Sequence, residues 1–358
     1  MTRIPPVHRV AYMHEFGAPL SIESVLTPKP VGEQVLIKVV GAGICHSDVH
    51  VWKGEFTEVN MPPRLPWVLS HEITGVVVDR GERVPDTIGI GQKVLVFAWG
   101  WTEEDEWVLR GYSNITEKPW QPSLTDEGGL REYFLVPHYK FLVDMEGIDD
   151  LVAAAPLACA GLTTFRAVKK ARNVLDVDDY VVVAGLGGLG AYAVQWLRIL
   201  APYVNIIGVD TRDEAIEFVS KIAKLDEVIN ASREDPFVQV MIITKGKGAK
   251  VVLDFVGPKA LPTYFLTLSK RGVYILVGLM GMETTIMRLP LLTYREQTIM
   301  GSFVGTLPEQ YEVVSLAKKG KIDYRSVVTR RLKLEEATAA LEALEKGQVL
   351  GRQVVVFE

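Results

Sequence analysis

The stretch Val181-Val182-Val183-Ala184-Gly185-Leu186-Gly187-Gly188-Leu189-Gly190-Ala191 decides the fold. An apolar, β-branched run reads as a buried strand, GxGGxG follows, and a helical pattern begins at once. Gly185 permits the tight turn. Gly187 lets the backbone approach a diphosphate, and Gly190 lets the helix pack closely on the strand. Gly188 and Leu189 supply the first N–H groups of that helix, where the backbone dipole favours an anion. The next apolar run, Asn205–Asp210, ends on a carboxylate twenty residues beyond Gly190. An acid there hydrogen-bonds a ribose and repels a 2′-phosphate, so the turn reads as a dinucleotide site favouring NAD over NADP. Arg212, two residues on, softens that preference.

Working outward, the same rhythm continues on both sides of the turn. Tyr180–Ala184, Asn205–Asp210, Val251–Val256 and Gly272–Val277 read as buried parallel strands. Ala191–Leu200 and Asp213–Ala223 read as helices between them. Such alternation predicts βαβ units in a doubly wound sheet, an α/β fold. Upstream of about residue 156 the chain is richer in proline and turn residues. Its apolar runs are short, as at Val35–Val40, Gly75–Val78 and Lys93–Phe97. They predict a β-rich, barrel-like first domain. Near the C-terminus, helical patterns at Leu307–Lys318 and Leu334–Lys346 precede Arg352–Phe357, a strand able to rejoin the first domain.

Composition narrows the function classes. Of 358 residues 48% are hydrophobic and 23% charged, which suits a folded globular chain of two domains. The net charge of −5 comes with no basic stripe, which points away from a nucleic-acid partner. Val181–Val194, the longest mostly apolar stretch, is glycine-interrupted and too short for a bilayer, so no membrane role is expected. Met1–Pro6 lacks the apolar core of a signal peptide, and the cytoplasm is the expected compartment.

The two cysteines, Cys45 and Cys159, are too few for a disulfide scaffold or a four-cysteine zinc knuckle. Cys45-His46-Ser47-Asp48-Val49-His50, His71-Glu72 and Cys159 hold thiols, imidazoles and carboxylates, the ligand types zinc accepts. Scattered ligands suit a catalytic metal with an open position. The residues alone leave two other readings standing: buried cysteines acting as small apolar groups, and a Cys45–Cys159 disulfide.

These motifs, with the run Ala155–Val168, the glycine turn, Asp210 and the terminal Gly351-Arg352-Gln353-Val354, resemble the zinc-dependent medium-chain alcohol dehydrogenases of bacteria and archaea. The resemblance spans nearly the whole chain. It implies a GroES-like β-barrel catalytic domain of residues 1–158 and 299–358, with a Rossmann cofactor domain of residues 159–298. It implies that Cys45, His71 and Cys159 bind a catalytic zinc, with Glu72 able to become a fourth ligand. Asp48 would hold the other nitrogen of His71. Ser47 would contact the substrate oxygen and start a proton relay that ends at His50. His46 and Arg352 would reach the cofactor diphosphate, and Trp99 and Trp120 would line the substrate pocket. The activity implied is reversible oxidation of a primary or secondary alcohol to an aldehyde or ketone with NAD. The assembly implied is a homodimer or homotetramer built on an edge strand near Gln297–Gly301.

One departure from the family is visible. Members often carry a structural zinc held by four close ligands, mostly cysteines, yet residues 99–116 contain none. One zinc per chain is therefore expected, with aromatic packing by Trp101 and Trp107 holding this lobe. The acidic run Glu103–Glu106 reads as a solvated face. Two alternatives stay open: a polyol, sugar or amino-alcohol dehydrogenase of the same superfamily, and a zinc-free relative that only binds the dinucleotide.

Overall fold

The computed structural model describes residues 4–279 and 289–358. It comprises two units, one of residues 1–159, 305–320 and 324–358, the other of residues 160–304 and 321–323.

The first unit opens with the hairpin β1 (Val7–Tyr12) and β2 (Ser21–Leu26). Then come β3 (Val35–Ile44), α1 (His46–Trp52), β4 (Glu72–Arg80), β5 (Lys93–Val96) and β6 (Gly100–Trp101). A lobe holding α2 (Glu106–Leu109) returns through β7 (Pro119–Trp120), which pairs with β6. β8 (Tyr133–Val136), β9 (Leu142–Asp144) and α3 (Leu151–Ala154) complete the N-terminal part. β3 is the hub of this unit, antiparallel to both β4 and β8. Paired on both sides, it is buried along most of its length, which explains why Val35–Val40 reads as an almost unbroken apolar run.

The second unit runs α4 (Ala160–Arg172), β10 (Tyr180–Ala184), α5 (Gly188–Leu200), β11 (Asn205–Asp210), α6 (Asp213–Ile222), β12 (Glu227–Asn230), α7 (Pro236–Ile243), β13 (Ala249–Asp254), α8 (Leu261–Phe265), β14 (Leu268–Leu276), α9 (Leu289–Tyr294) and β15 (Thr298–Gly301). Its six strands are all parallel, in the order β12-β11-β10-β13-β14-β15. Trp196 on α5 packs edge-on against Phe165 of α4, 5.1 Å between ring centres, and its indole N–H donates to the Gly161 carbonyl. β13 stops two residues short of the apolar run because the Asp254 carboxylate accepts the N–H groups of Val256 and Gly257, turning the chain outward. β15 is hydrogen-bonded to β14, so this unit extends to Val304 rather than 298.

The chain then re-enters the first unit with α10 (Leu307–Lys318), β16 (Val328–Leu332), α11 (Ala337–Glu345) and β17 (Arg352–Val356). β17 lies antiparallel to β3, with Gln353 opposite Ile44. The last residues thus complete the sheet that carries the Cys45 segment. Among the described residues no single helix is long and apolar enough to cross a membrane.

Candidate active site

The first unit gathers one cluster of metal-ligating side chains among the described residues. Cys45, His71, Glu72 and Cys159 each offer a ligand atom, and these atoms lie within 4.8 Å of one another. Their positions follow from local structure. β3 ends at Ile44, and Cys45 is the N-cap of α1. Asp48, three residues on, accepts the Cys45 N–H through Oδ2 at 2.8 Å and so closes the helix start. Ser70, just before His71, sits at φ +80°, a strained conformation for a residue with a side chain. It is held there by its hydroxyl on the Gly43 carbonyl and its N–H on Asp48 Oδ1. Ser123 donates its hydroxyl to the same Oδ1 at 2.6 Å, and His71 Nδ1 lies 3.4 Å from it. Asp48 therefore fixes both the Cys45 turn and the His71 segment. Gly43 is required as glycine: a Cβ there would stand 2.1 Å from Glu72 Oε2.

The polar accounting of the cluster is incomplete without a cation. His71 and Glu72 are fully buried, and while His71 Nδ1 faces Asp48, neither His71 Nε2 nor Glu72 Oε2 has a hydrogen-bond partner. Each such orphan costs about 1–3 kcal/mol. Two thiols, an imidazole and a carboxylate match zinc in ligand type and number, so the residues fit the metal that the sequence pattern implies. Cys45, His46 and Ser47 are half-buried, while Asp48 and His50 are buried.

Charge is organised around the thiols. Cys45 Sγ lies 4.0 Å from Cys159 Sγ and from Ser47 Oγ. The Cys45 thiol is pushed well below its ordinary value, first by the hydrogen bond with Cys159 and then by the positive charge of Arg352 and His71. Cys159 is pushed up, by its contact with Cys45 and by burial. Burial opposes charge on His71, but the Asp48 carboxylate and Cys45 outweigh it and raise its pKa. A metal displaces these protons on binding. Burial also raises Glu72, against the opposing pull of Arg352, with which it forms a buried ion pair.

The remaining predicted residues fall as follows. His50 is buried on α1, its ring 5.3 Å from that of His46, and burial lowers the pKa of His46. Trp99 is buried with its ring edge-on to His71 at 5.3 Å and its indole N–H on the Ala158 carbonyl. Trp120 instead stacks on Phe141 at 5.1 Å and lines a cavity of about 270 Å³, whose walls include none of the four donor residues. Two contacts escaped sequence reasoning. Glu72 pairs with Arg352, 280 positions away, and His50 Nδ1 pairs with Glu55.

In the second unit the glycine turn has the geometry its residues require. Gly185 takes φ +90°. A Cβ on Gly190 would stand 2.2 Å from the Gly185 carbonyl oxygen, whereas one on Gly187 would meet nothing within 4 Å. Gly187 caps α5, which begins at Gly188 with Leu189 next, so unpaired N–H groups face an open approach. Asp210 accepts the N–H of Leu186 at 2.8 Å and that of Arg212 at 3.0 Å, tying the acid to the turn. The Arg212 guanidinium is 3.9 Å from the same carboxylate.

Comparison with known proteins agrees with this architecture. Residues 32–147 match the alcohol dehydrogenase GroES-like domain and residues 188–319 the zinc-binding dehydrogenase domain. An NAD-dependent alcohol dehydrogenase of Sulfurisphaera tokodaii is 40% identical, over 97% of this chain and 99% of the relative. A D-arabinose 1-dehydrogenase (NADP(+)) of Saccharolobus solfataricus is 34% identical, over 97% of each chain. The crystal structure of the alcohol dehydrogenase from Aeropyrum pernix superposes with a TM-score of 0.89 at 34% identity, covering 98% of this chain and all of that one. With both domain models matched and the likeness extending end to end, the chain belongs to the zinc-binding, medium-chain alcohol dehydrogenase family.

Proposed function

We propose that this protein is a zinc- and NAD-dependent alcohol dehydrogenase that interconverts primary or secondary alcohols with aldehydes or ketones. The observation that carries this reading is the buried donor cluster Cys45, His71, Cys159 and Glu72 with its unpartnered polar atoms. Cys45, His71 and Cys159 hold the metal, and Glu72, paired with Arg352, stands by as the exchangeable fourth group. Zinc when bound supplies a Lewis acid that eases loss of the alcohol proton, and NAD supplies the hydride acceptor. Asp48 orients His71. Ser47 Oγ takes the hydroxyl proton of the substrate, and His50 passes it towards water. The N–H groups of Gly188 and Leu189 bind the diphosphate, and Asp210 receives the ribose. A carboxylate at that place disfavours a 2′-phosphate, so NAD is preferred over NADP. His46 and Arg352 add positive potential for the cofactor. Trp99 beside His71 gives the substrate an apolar wall, which favours apolar alcohols over sugars. The chains assemble as homodimers, or tetramers, through the exposed edge of β15, and one zinc is bound per chain.

The test is alcohol-dependent NADH formation with metal analysis. Activity should vanish with a strong chelator and in Cys45→Ser, while NADH binding persists in both, and NADP should be used less well than NAD. Unimpaired turnover in Cys45→Ser overturns the catalytic-zinc assignment, and two tightly held zincs per chain overturn the expectation of a single zinc. A sugar dehydrogenase is the second reading, favoured by the D-arabinose-oxidising relative. A panel containing both aliphatic alcohols and pentoses separates the two.

A further inference from the structure

The end of α1 carries a contact that neither the ligand set nor the relay of the proposed function requires. α1 closes with paired hydrogen bonds: Gly54 N–H donates to Val51 O at 3.0 Å, and Glu55 N–H reaches back to His50 O at 2.9 Å. Gly54 takes φ +75°, the left-handed conformation this ending demands. The turn therefore folds Glu55 back over His50, and the Glu55 carboxylate pairs with His50 Nδ1. The two partners differ in exposure. The His50 side chain is 9% exposed, whereas that of Glu55 is 46% exposed. Phe56 covers the imidazole on another side, with ring centres 5.2 Å apart.

We propose that Glu55 is a positioning residue for proton transfer: it holds His50 as the Nδ1–H tautomer and stabilises the imidazolium that forms when Nε2 accepts a proton. This rests on the relay reading of His50. The step balances simply. A proton enters at Nε2, the ring becomes imidazolium against the carboxylate, and water then removes the proton from Nε2, which restores the Nδ1–H tautomer with no change in electrons. The opposite tautomer would turn a lone pair towards the carboxylate and leave Nε2 unable to accept. The other charged groups nearby are accounted for. His46 lies on the same helix. On α11, which packs against α1, Glu345 is paired with Lys53 at 3.0 Å and Glu342 with Lys346 at 3.5 Å. Glu55 is thus the carboxylate that serves His50.

The experiment compares Glu55→Ala, Glu55→Gln and His50→Gln in the zinc-loaded enzyme. The readouts are the single-turnover rate of NADH formation, KM for alcohol and NAD, zinc content, and rescue by added imidazole. Glu55→Ala should slow turnover about tenfold, with both KM values within about twofold and zinc content unchanged, and imidazole should restore most of the rate. Glu55→Gln keeps an acceptor for Nδ1–H but loses the charge, so it should fall between wild type and Glu55→Ala. A wild-type rate in Glu55→Ala, or a loss that imidazole does not restore, overturns the role of Glu55. If His50→Gln itself turns over normally, the relay reading fails instead.

Discussion

At the scale of single residues, the cluster shows how few atoms organise it. Asp48 Oδ1 receives Ser70 N–H and the Ser123 hydroxyl beside the His71 ring, while Oδ2 holds the Cys45 N–H. The Cys45 and Ser70 contacts constrain two ligand segments and the Ser123 contact ties in a third stretch, so the carboxylate links parts of the chain that have no sequence proximity. A different residue links stability to pH. His8 is buried on β1 beside Tyr133, its ring centre 5.8 Å from the tyrosine ring. Burial, aided by the positive charge of Arg131, lowers its pKa from 6.5 to about 4. The unfolded chain therefore binds a proton at His8 near pH 6.5, and the folded one resists until about pH 4. The stability that depends on a neutral His8 is complete above pH 6.5 and declines as pH falls through this window. The melting temperature should drop between pH 6.5 and 4, and less steeply in His8→Gln. Equal slopes in a calorimetric pH series would remove His8 as the cause.

At the scale of elements, the glycine turn makes the sharpest demand. In Gly190→Ala the new methyl meets the Gly185 carbonyl oxygen at 2.2 Å, a backbone atom that cannot rotate away. Either α5 or the turn must shift, at about 1–3 kcal/mol. NADH affinity should fall about tenfold by fluorescence titration, while zinc content in the other unit stays the same. This turn was fully legible, because strand, glycines and acid lie within thirty residues of chain and each has a local backbone reason. Cys45-His46-Ser47-Asp48 was legible as a set of ligand types, whereas the helix it opens gave no sequence signal. The lobe from Trp99 to Trp120 was only partly so. Trp101 packs edge-on against Phe141 at 5.2 Å, whereas Arg110 lies 5.8 Å over the Trp107 ring. The acidic run is not simply a solvated face. Asp105 caps α2 through Trp107 N–H and Val108 N–H, and also accepts the Thr116 hydroxyl and Glu117 N–H, which lowers its pKa. One side chain with four donors looks, in sequence, like any other acid in a charged run. β12 was missed for a related reason: four residues at a sheet edge, two of them exposed, give no periodic signal. The Glu72–Arg352 pair was beyond reach because nothing local announces a partner 280 residues away.

At the scale of the whole molecule, the β15 edge is the feature left open. Among the described residues β15 pairs with β14 on one side only, and Ile299 is 36% exposed. An uncovered parallel edge invites another strand. The proposed assembly through this edge makes Ile299→Asp a direct test. Light scattering should show the variant reduced to monomers with its zinc retained, and an unchanged mass would place the interface elsewhere.

The return of β17 to β3 also sets an order of events during synthesis. Ile44 and its partner Gln353 leave the ribosome more than three hundred residues apart. At about 5–20 residues per second, that interval lasts roughly 15–60 s. Every strand of the parallel sheet is available before Gln353 is made. The metal-ligating residues Cys45, His71 and Cys159 are translated early, yet β17, which adds to the sheet that carries the Cys45 segment, and the arginine that pairs with Glu72 are made more than 190 residues after Cys159. The nascent chain thus carries Glu72 without its arginine until Arg352 is added, and a stop codon just before Arg352 would leave that acid permanently without its cation.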